Sequence, residues 1–530
     1  MAEIISIDPL TRIEGHLRID VEVEGGRVVD AWSSGTMFRG IEMLLQDKHP
    51  WDAQQVTERI CGVCPLVHGT ASSYALDDAT GVKLPDNARL IRNLTLGANF
   101  IQSHVLHFYH LAALDYVDPL AVADYTGSSL PLITLRDKFR RLAAEKDPYF
   151  FLPRYESPDY IGQPGGPGDP DLACELVSHY VQALEMRKKA QEALTIFYGR
   201  MPSFVGTVPG GVTTKPTISN TTAFKARMQE LQQWVNDVYW QDILTVAQVP
   251  EYQELLRAGD SGGNYLAYGA FDLDAAGKDK FFPTGLIIGG DVLNTRKPGR
   301  DEIAKQITES VQHSWYTPEC EGLNPREGKT EPELGKKDAY SFLKAPRLGG
   351  RPMEVGPLAR QLVMQEPGFM SLVDRLGLLT EPLEFGILPR HAARAYEAVL
   401  LAAKLPEWTD ELQAGIGGDI WDPKGAEIPD ESYGKGMVDG PRGALGHWIH
   451  IQGKTIGNYQ CVVPTTWNAS PRDKSGNRGP IESSLVGLPV PDVDNPINVA
   501  RCVRSFDPCI ACAVHVIHPE HNGVKEFRII

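Results

Sequence analysis

Arg59-Ile-Cys61-Gly-Val-Cys64-Pro-Leu-Val-His68 and Asp507-Pro-Cys509-Ile-Ala-Cys512-Ala-Val-His515 are the two stretches that decide how this chain is read. A Cys-x-x-Cys turns tightly enough for both sulfurs to reach one ion. Two such pairs supply four soft ligands, which suit zinc, iron–sulfur clusters, nickel or low-valent iron. One pair alone would equally be two unrelated buried cysteines or a redox motif. For two pairs the plainest alternative is a structural zinc site. Zinc ribbons close short loops, however, whereas these pairs stand near opposite ends of 530 residues. A metal held where the two ends of a long chain meet, in the middle of a large fold, points to catalysis. Each pair is followed by a histidine, His68 and His515, placed to hydrogen-bond a thiolate and tune it, or to ligate a second metal.

Outward from these motifs, the rest of the chain reads as a large soluble catalytic protein. The other four of its eight cysteines, Cys174, Cys320, Cys461 and Cys502, are scattered. They are too few for a disulfide scaffold and form no ligand set for an iron–sulfur cluster. Electrons leaving a redox-active metal must therefore pass to another subunit. Apolar residues are 42 % and charged residues 23 %, which excludes a disordered chain. A net charge of −16 argues against a nucleic-acid footprint. There is no run of 18 apolar residues and no signal-peptide pattern at Met1. At about 150 residues per domain the length allows three to four units, or one large catalytic subunit.

Leu17, Ile19, Val21 and Val23 alternate with polar residues, and Gly25-Gly26 turns the chain back into Arg27–Trp32, so a β-hairpin opens the protein. Apolar residues then recur at helical spacing over 87–117, 222–247, 300–315 and 390–405. A further helix starts at Asp169-Pro170, an N-cap with proline in the first turn, and stops at Gly199. Segments 258–298 and 317–356, rich in Gly, Pro and charge, read as loops or short strands, and strand-like runs return from Trp448 onward. The expected fold is α+β and mainly helical: a central helix bundle framed by mixed, β-containing N- and C-terminal segments that meet at the metal site. There is no internal repeat.

The two cysteine motifs, with Arg12-Ile-Glu14-Gly-His16 and Pro441-Arg442-Gly-Ala-Leu-Gly-His447-Trp448, make the whole chain resemble the large subunit of nickel–iron hydrogenases, closest to the respiratory uptake type that faces the periplasm. The resemblance implies that Cys61, Cys64, Cys509 and Cys512 bind nickel, and that Cys64 and Cys512 also bridge to an iron carrying CO and cyanide. Dihydrogen is then split heterolytically, its proton passing to a nearby base. Arg442 matches an arginine over the metals that contacts a cyanide. Pro441 and Thr465 match positions that reach the cyanides through backbone and hydroxyl donors. Asp507 is placed to hold Arg442, and Glu14 matches the proton relay. Glu42, the backbone carbonyl of Cys461 and His515 match ligands of a hard cation, magnesium or iron. Ser103 stands where many members carry aspartate. Its Gln-Ser-His setting resembles the selenium-containing branch, in which the position of Cys509 is selenocysteine; Asp439 stands where glutamate is expected. The helical row His104, His107, His110 reads as core or subunit-facing histidines rather than a metal site.

The resemblance further implies a heterodimer with an iron–sulfur small subunit, export to the periplasmic side together with that subunit, and contact with the membrane only through partners. It implies maturation by nickel-insertion factors and by a protease that cuts after His515. Residues 1–515 would form the mature domain and residues 516–530 a removed propeptide. A hydrogen-sensing regulatory hydrogenase is the alternative, but such sensors usually lack the extension Val516–Ile530. The homologous quinone-site subunit of respiratory NADH dehydrogenase lacks the four cysteines.

Overall fold

The computed structural model describes residues 3–145, 159–380 and 383–513. The opening hairpin forms as Leu17–Glu24 and Arg27–Gly35, and Glu3–Ile7 adds a third antiparallel strand to it. Leu17, Ile19, Val21 and Val23 face the core, as their alternation requires. The helical middle is built on Asp86–Val105, Pro170–Tyr198, Ile218–Trp234 and Ile387–Ala414, which pack on one another. Helix Pro170–Tyr198 starts where the sequence says: the Asp169 carboxylate accepts from the Leu172 amide at 2.7 Å, and Gly199 ends it at φ 76°. At Gly97 a Cβ would lie 2.6 Å from Leu405 Cδ2, so glycine there lets helices Asp86–Val105 and Ile387–Ala414 meet closely. The expected α+β, mainly helical architecture is the observed one.

Several sequence expectations need correction. The helix over 87–117 runs as α-helix to Val105, widens into a π-helix at Leu106–Ala112 and ends in a 3-10 turn at Asp115. The helix over 222–247 begins earlier, at Ile218, and also contains a π segment, Val235–Tyr239. The helix expected over 300–315 stops at Gln306, and Ile307–Ser310 instead pairs antiparallel with Ala345–Leu348. The one expected over 390–405 runs through Pro406 to Ala414. Proline there costs about 3 kcal/mol; burial of Trp408 and Leu412, worth about 1.5–3 kcal/mol each, offsets it. The C-terminal part forms the antiparallel sheet Glu431–Gly440, Gly443–Gln452, Thr455–Val462 and then turns helical at Pro464–Asn468, Pro480–Leu485 and Ile497–Ser505.

Two features hold the ends together. Glu14 pairs with Cys509 in a short parallel bridge, in which the Ile510 amide donates to the Glu14 carbonyl at 2.7 Å. Gly15, at φ 86°, permits this, because a Cβ there would lie 2.6 Å from the Ala511 nitrogen. Second, the strand Glu431–Gly440 lies directly on helix Pro65–Thr80, and at Gly436 a Cβ would sit 1.8 Å from the Ala71 carbonyl oxygen. That oxygen is backbone and cannot swing aside. Gly436→Ala should therefore lower stability by at least the 1–3 kcal/mol typical of overpacking, about 3 kcal/mol or more. An unchanged denaturation midpoint would contradict this packing.

Candidate metal centre

Cys61 leaves the 3-10 turn Glu58–Ile60 in extended conformation, and Cys64 immediately precedes helix Pro65–Thr80. The turn aims the amides of Val63 and Cys64 at the Cys61 sulfur, each at 3.2 Å, an arrangement that favours negative charge on sulfur. From the far end of the chain, Cys509 Sγ comes to 3.2 Å from Cys61 Sγ. The sulfurs of Cys61, Cys64 and Cys509 lie within 4.8 Å of one another, all buried. Cys64 and Cys509 border a small cavity of about 20 Å³, lined also by His68, Pro441, Arg442 and Thr465. The 3.2 Å separation is far beyond a disulfide bond of about 2.05 Å. This donor set fits a soft transition metal. Cys512 follows on the one-turn helix Ile510–Ala513, but its side chain, His515 and the segment 516–530 lie outside the described residues.

Arg442 covers the cavity. Its Nε donates to the Asp507 carbonyl at 3.0 Å and its Nη2 to the Asp507 carboxylate at 2.9 Å. Asp507 adopts φ 57°, in the left-handed region that aspartate tolerates better than most residues. Burial works against the Arg442 charge, yet Asp507 and the nearby sulfurs of Cys509, Cys64 and Cys61 hold the guanidinium protonated more firmly than usual. Ser103 lies beside it, Oγ 3.5 Å from Nη1. Pro441 has no N–H to donate, whereas Arg442 and the Thr465 hydroxyl can donate; the Thr465 oxygen already accepts from the Cys509 amide at 2.9 Å.

Glu14 flanks Cys509 from another direction. Its Oε2 lies 3.1 Å from Cys509 Sγ and accepts from the Ala511 amide at 3.1 Å. Burial raises its pKa, and the charge of Cys61 adds to this. The contacts with Cys509, Arg442 and Ala511 oppose the shift without cancelling it. A carboxylate that holds a proton more readily than usual, in contact with a sulfur, can accept and release that proton there.

Of the second expected cation site, the structure brings Glu42 and Cys461 together. The buried Glu42 carboxylate accepts from the Cys461 amide at 2.7 Å and from the Thr330 hydroxyl. Thr330 accepts from Gln460 at 3.0 Å, and Gln460 in turn accepts from Lys344 at 3.1 Å. His68 Nδ1 lies 3.1 Å from His447 Nε2. The row of three histidines is partnered within the protein: His104 with Glu397 at 3.1 Å, His107 with the Arg504 carbonyl at 2.6 Å and His110 with the Tyr180 carbonyl at 3.2 Å.

The sequence reading passed over Arg360 and Glu397. They form a two-pronged buried ion pair, both bonds 2.7 Å, that drives the Glu397 carboxyl down to about 2 against the cost of burial. Arg360 also donates to the carbonyls of Gly440 at 2.8 Å and Pro441 at 3.0 Å, and so anchors the loop that carries Arg442. The available signal was a glutamate on the apolar face of helix Ile387–Ala414.

Residues 39–515 match the family described as nickel-dependent hydrogenase, and residues 4–33 match a family described as HoxL-like. The periplasmic [NiFeSe] hydrogenase large subunit of Desulfomicrobium baculatum is 42 % identical, the match covering 97 % of this chain and 95 % of that one. The uptake hydrogenase large subunit of Bradyrhizobium diazoefficiens is 36 % identical over 99 % of this chain and 97 % of its own. The structure of the reduced Ni-Fe-Se hydrogenase from D. vulgaris Hildenborough superposes with a TM-score of 0.84 at 38 % identity, covering 97 % of this chain and 100 % of that chain. Of the two subunits, the selenium-type relative shares more identity. The cysteine cluster and these full-length matches agree, and the chain belongs to the nickel-dependent hydrogenase family, as a large subunit.

Proposed function

We propose that this chain is the catalytic large subunit of an uptake-type nickel–iron hydrogenase, cleaving dihydrogen reversibly and heterolytically into protons and electrons. The observation that carries the reading is the convergence, from opposite ends of the chain, of three buried cysteine sulfurs with Arg442 above them and Glu14 beside Cys509. Cys61, Cys64, Cys509 and Cys512 would hold a nickel–iron pair whose iron carries CO and cyanide. When bound, this group supplies the redox-active Lewis acid at which the H–H bond is polarised. The chain's own contribution is to place a base, a cation and a small enclosing cavity around it. Glu14, at 3.1 Å from Cys509 Sγ, takes up the proton and passes it outward. Arg442, clamped by Asp507, presents fixed positive charge and N–H donors to anionic ligands at no reorganisation cost. Thr465, its oxygen engaged by the Cys509 amide, keeps its own hydrogen to donate into the cavity. Glu42, the Cys461 carbonyl and His515 would hold a magnesium ion, or an iron.

Cys174, Cys320 and Cys502 are buried singly, and the described residues hold one cysteine group only, that of Cys61, Cys64 and Cys509. Electrons would therefore leave through an iron–sulfur small subunit, bound across an interface above about 2,000 Å², the size of obligate pairs. The co-purified heterodimer should catalyse exchange between dihydrogen and solvent protons and reduce a dye. An isolated large subunit reducing the dye at the full rate would contradict the partnership. Placement on the periplasmic side, by export with that subunit, is supported by the periplasmic relative. No helix among the described residues is long and apolar enough to cross a membrane.

The mature chain would end at His515, nickel-insertion factors acting first and a protease then removing Val516–Ile530. Glu14 and Ala511 already hold the Cys509 segment against the N-terminus, so the last ligands must close within a few residues of it. A continuing chain opposes that closure. Intact-mass measurement of active enzyme should find a chain ending at His515; a fully active, nickel-loaded chain ending at Ile530 would contradict cleavage.

A further inference from the structure

His68 sits in the first turn of helix Pro65–Thr80 and lines the cavity with Cys64 and Cys509. Its Nδ1 is engaged by His447 Nε2 at 3.1 Å, and His447 Nδ1 is engaged by the Tyr459 hydroxyl at 2.8 Å. All three side chains are buried. His447 and Tyr459 stand on the adjacent strands Gly443–Gln452 and Thr455–Val462, their rings edge to face at 5.6 Å. Beside Tyr459 lies the buried Ser72 hydroxyl, one turn beyond His68 on the same helix and within hydrogen-bonding reach of the phenol.

Resting on the metal-centre reading above, we propose that Tyr459 and His447 are positioning residues that fix the tautomer of His68, so that its Nε2–H points at the cysteine sulfurs. A buried imidazole whose partner is a second imidazole rather than a carboxylate is neutral. A neutral imidazole has one N–H and one bare nitrogen. The chain therefore has two arrangements. In one, Tyr459 donates to His447 Nδ1, His447 Nε2–H donates to His68 Nδ1, and His68 presents Nε2–H to the cavity. In the other every bond is reversed, and His68 turns a lone pair toward sulfur. Negative charge on the sulfurs selects the first. The Ser72 hydroxyl can then donate to the Tyr459 oxygen, so no polar atom of the chain is stranded. Hydrogen bonds of this kind tune metal-bound thiolates through the group behind the ligand.

The test is infrared spectroscopy of the metal-loaded heterodimer, alongside nickel content. Tyr459→Phe keeps the ring and removes only the hydroxyl; it should load nickel as the parent does and shift the CO and cyanide stretching bands. His447→Gln supplies an amide N–H to His68 without needing Tyr459. It should hold the bands at the parent positions alone and restore them in combination with Tyr459→Phe. His447→Leu should shift them. Parent bands in a nickel-loaded Tyr459→Phe protein would overturn the proposal. If Tyr459→Phe fails to load nickel, the comparison of His447→Gln with His447→Leu decides, and identical bands in the two would overturn it. A parent enzyme lacking CO and cyanide bands would instead overturn the metal-centre reading on which the proposal rests.

Discussion

Cys61→Ser and Cys509→Ser should each abolish hydrogen turnover and leave a chain with little nickel. The expected loss follows from the donor chemistry. A serine hydroxyl is a hard donor that keeps its proton at neutral pH, so it cannot replace a soft thiolate. Changes behind a metal ligand already cost about 10- to 100-fold in affinity or activity, so loss of a ligand should exceed 100-fold. Both sulfurs belong to one buried cluster, 3.2 Å apart, with Cys64 as its third member. Cys502 provides the control: it is buried, donates to the Ser484 carbonyl and stands outside the cluster, so Cys502→Ser should retain nickel. Metal content and dye reduction on the purified heterodimers check the result. Wild-type nickel and turnover in Cys61→Ser would contradict it.

Glu14→Gln should separate proton transfer from assembly. Glutamine keeps the size and can still accept from the Ala511 amide, but it cannot take up a proton. The variant should load nickel and keep its infrared bands near the parent positions, while exchange between dihydrogen and solvent falls by about 10²- to 10⁴-fold, the usual worth of a positioned acid–base group. Glu14 owes its suitability to burial, which raises its pKa, and to the bridge with Cys509 that fixes its reach. Near-normal exchange with a parent-like spectrum would show that the proton leaves by another route.

The parts of the site that were legible before the structure are those whose chemistry is local. Two Cys-x-x-Cys turns announce a metal whatever lies between them, and Asp169-Pro170 and Gly199 mark the ends of one helix by capping alone. The pairing of Arg442 with Asp507 was also readable, since both belong to the short motifs that flank the cavity. What stayed hidden depends on partners distant in sequence. Ile307–Ser310 continues a helical pattern but becomes strand because Ala345–Leu348 is there to pair with it. Pro406 reads as a stop, and only the burial of the following turn keeps the helix going. Arg360 and Glu397 carry no motif, and their importance appears once Arg360 is seen holding the carbonyls of Gly440 and Pro441 beneath Arg442. The His68–His447–Tyr459 chain likewise joins a helix to two strands, and no spacing within any one of them points to it.

The central claim is that the cysteines brought together here hold a nickel–iron pair carrying CO and cyanide. Infrared spectroscopy of the purified, active heterodimer, combined with metal analysis, tests it most directly. The account predicts about one nickel and one active-site iron per large subunit, with one CO and two cyanide stretching bands. Active protein whose only stoichiometric metal is zinc, with no bands from either ligand, would contradict it.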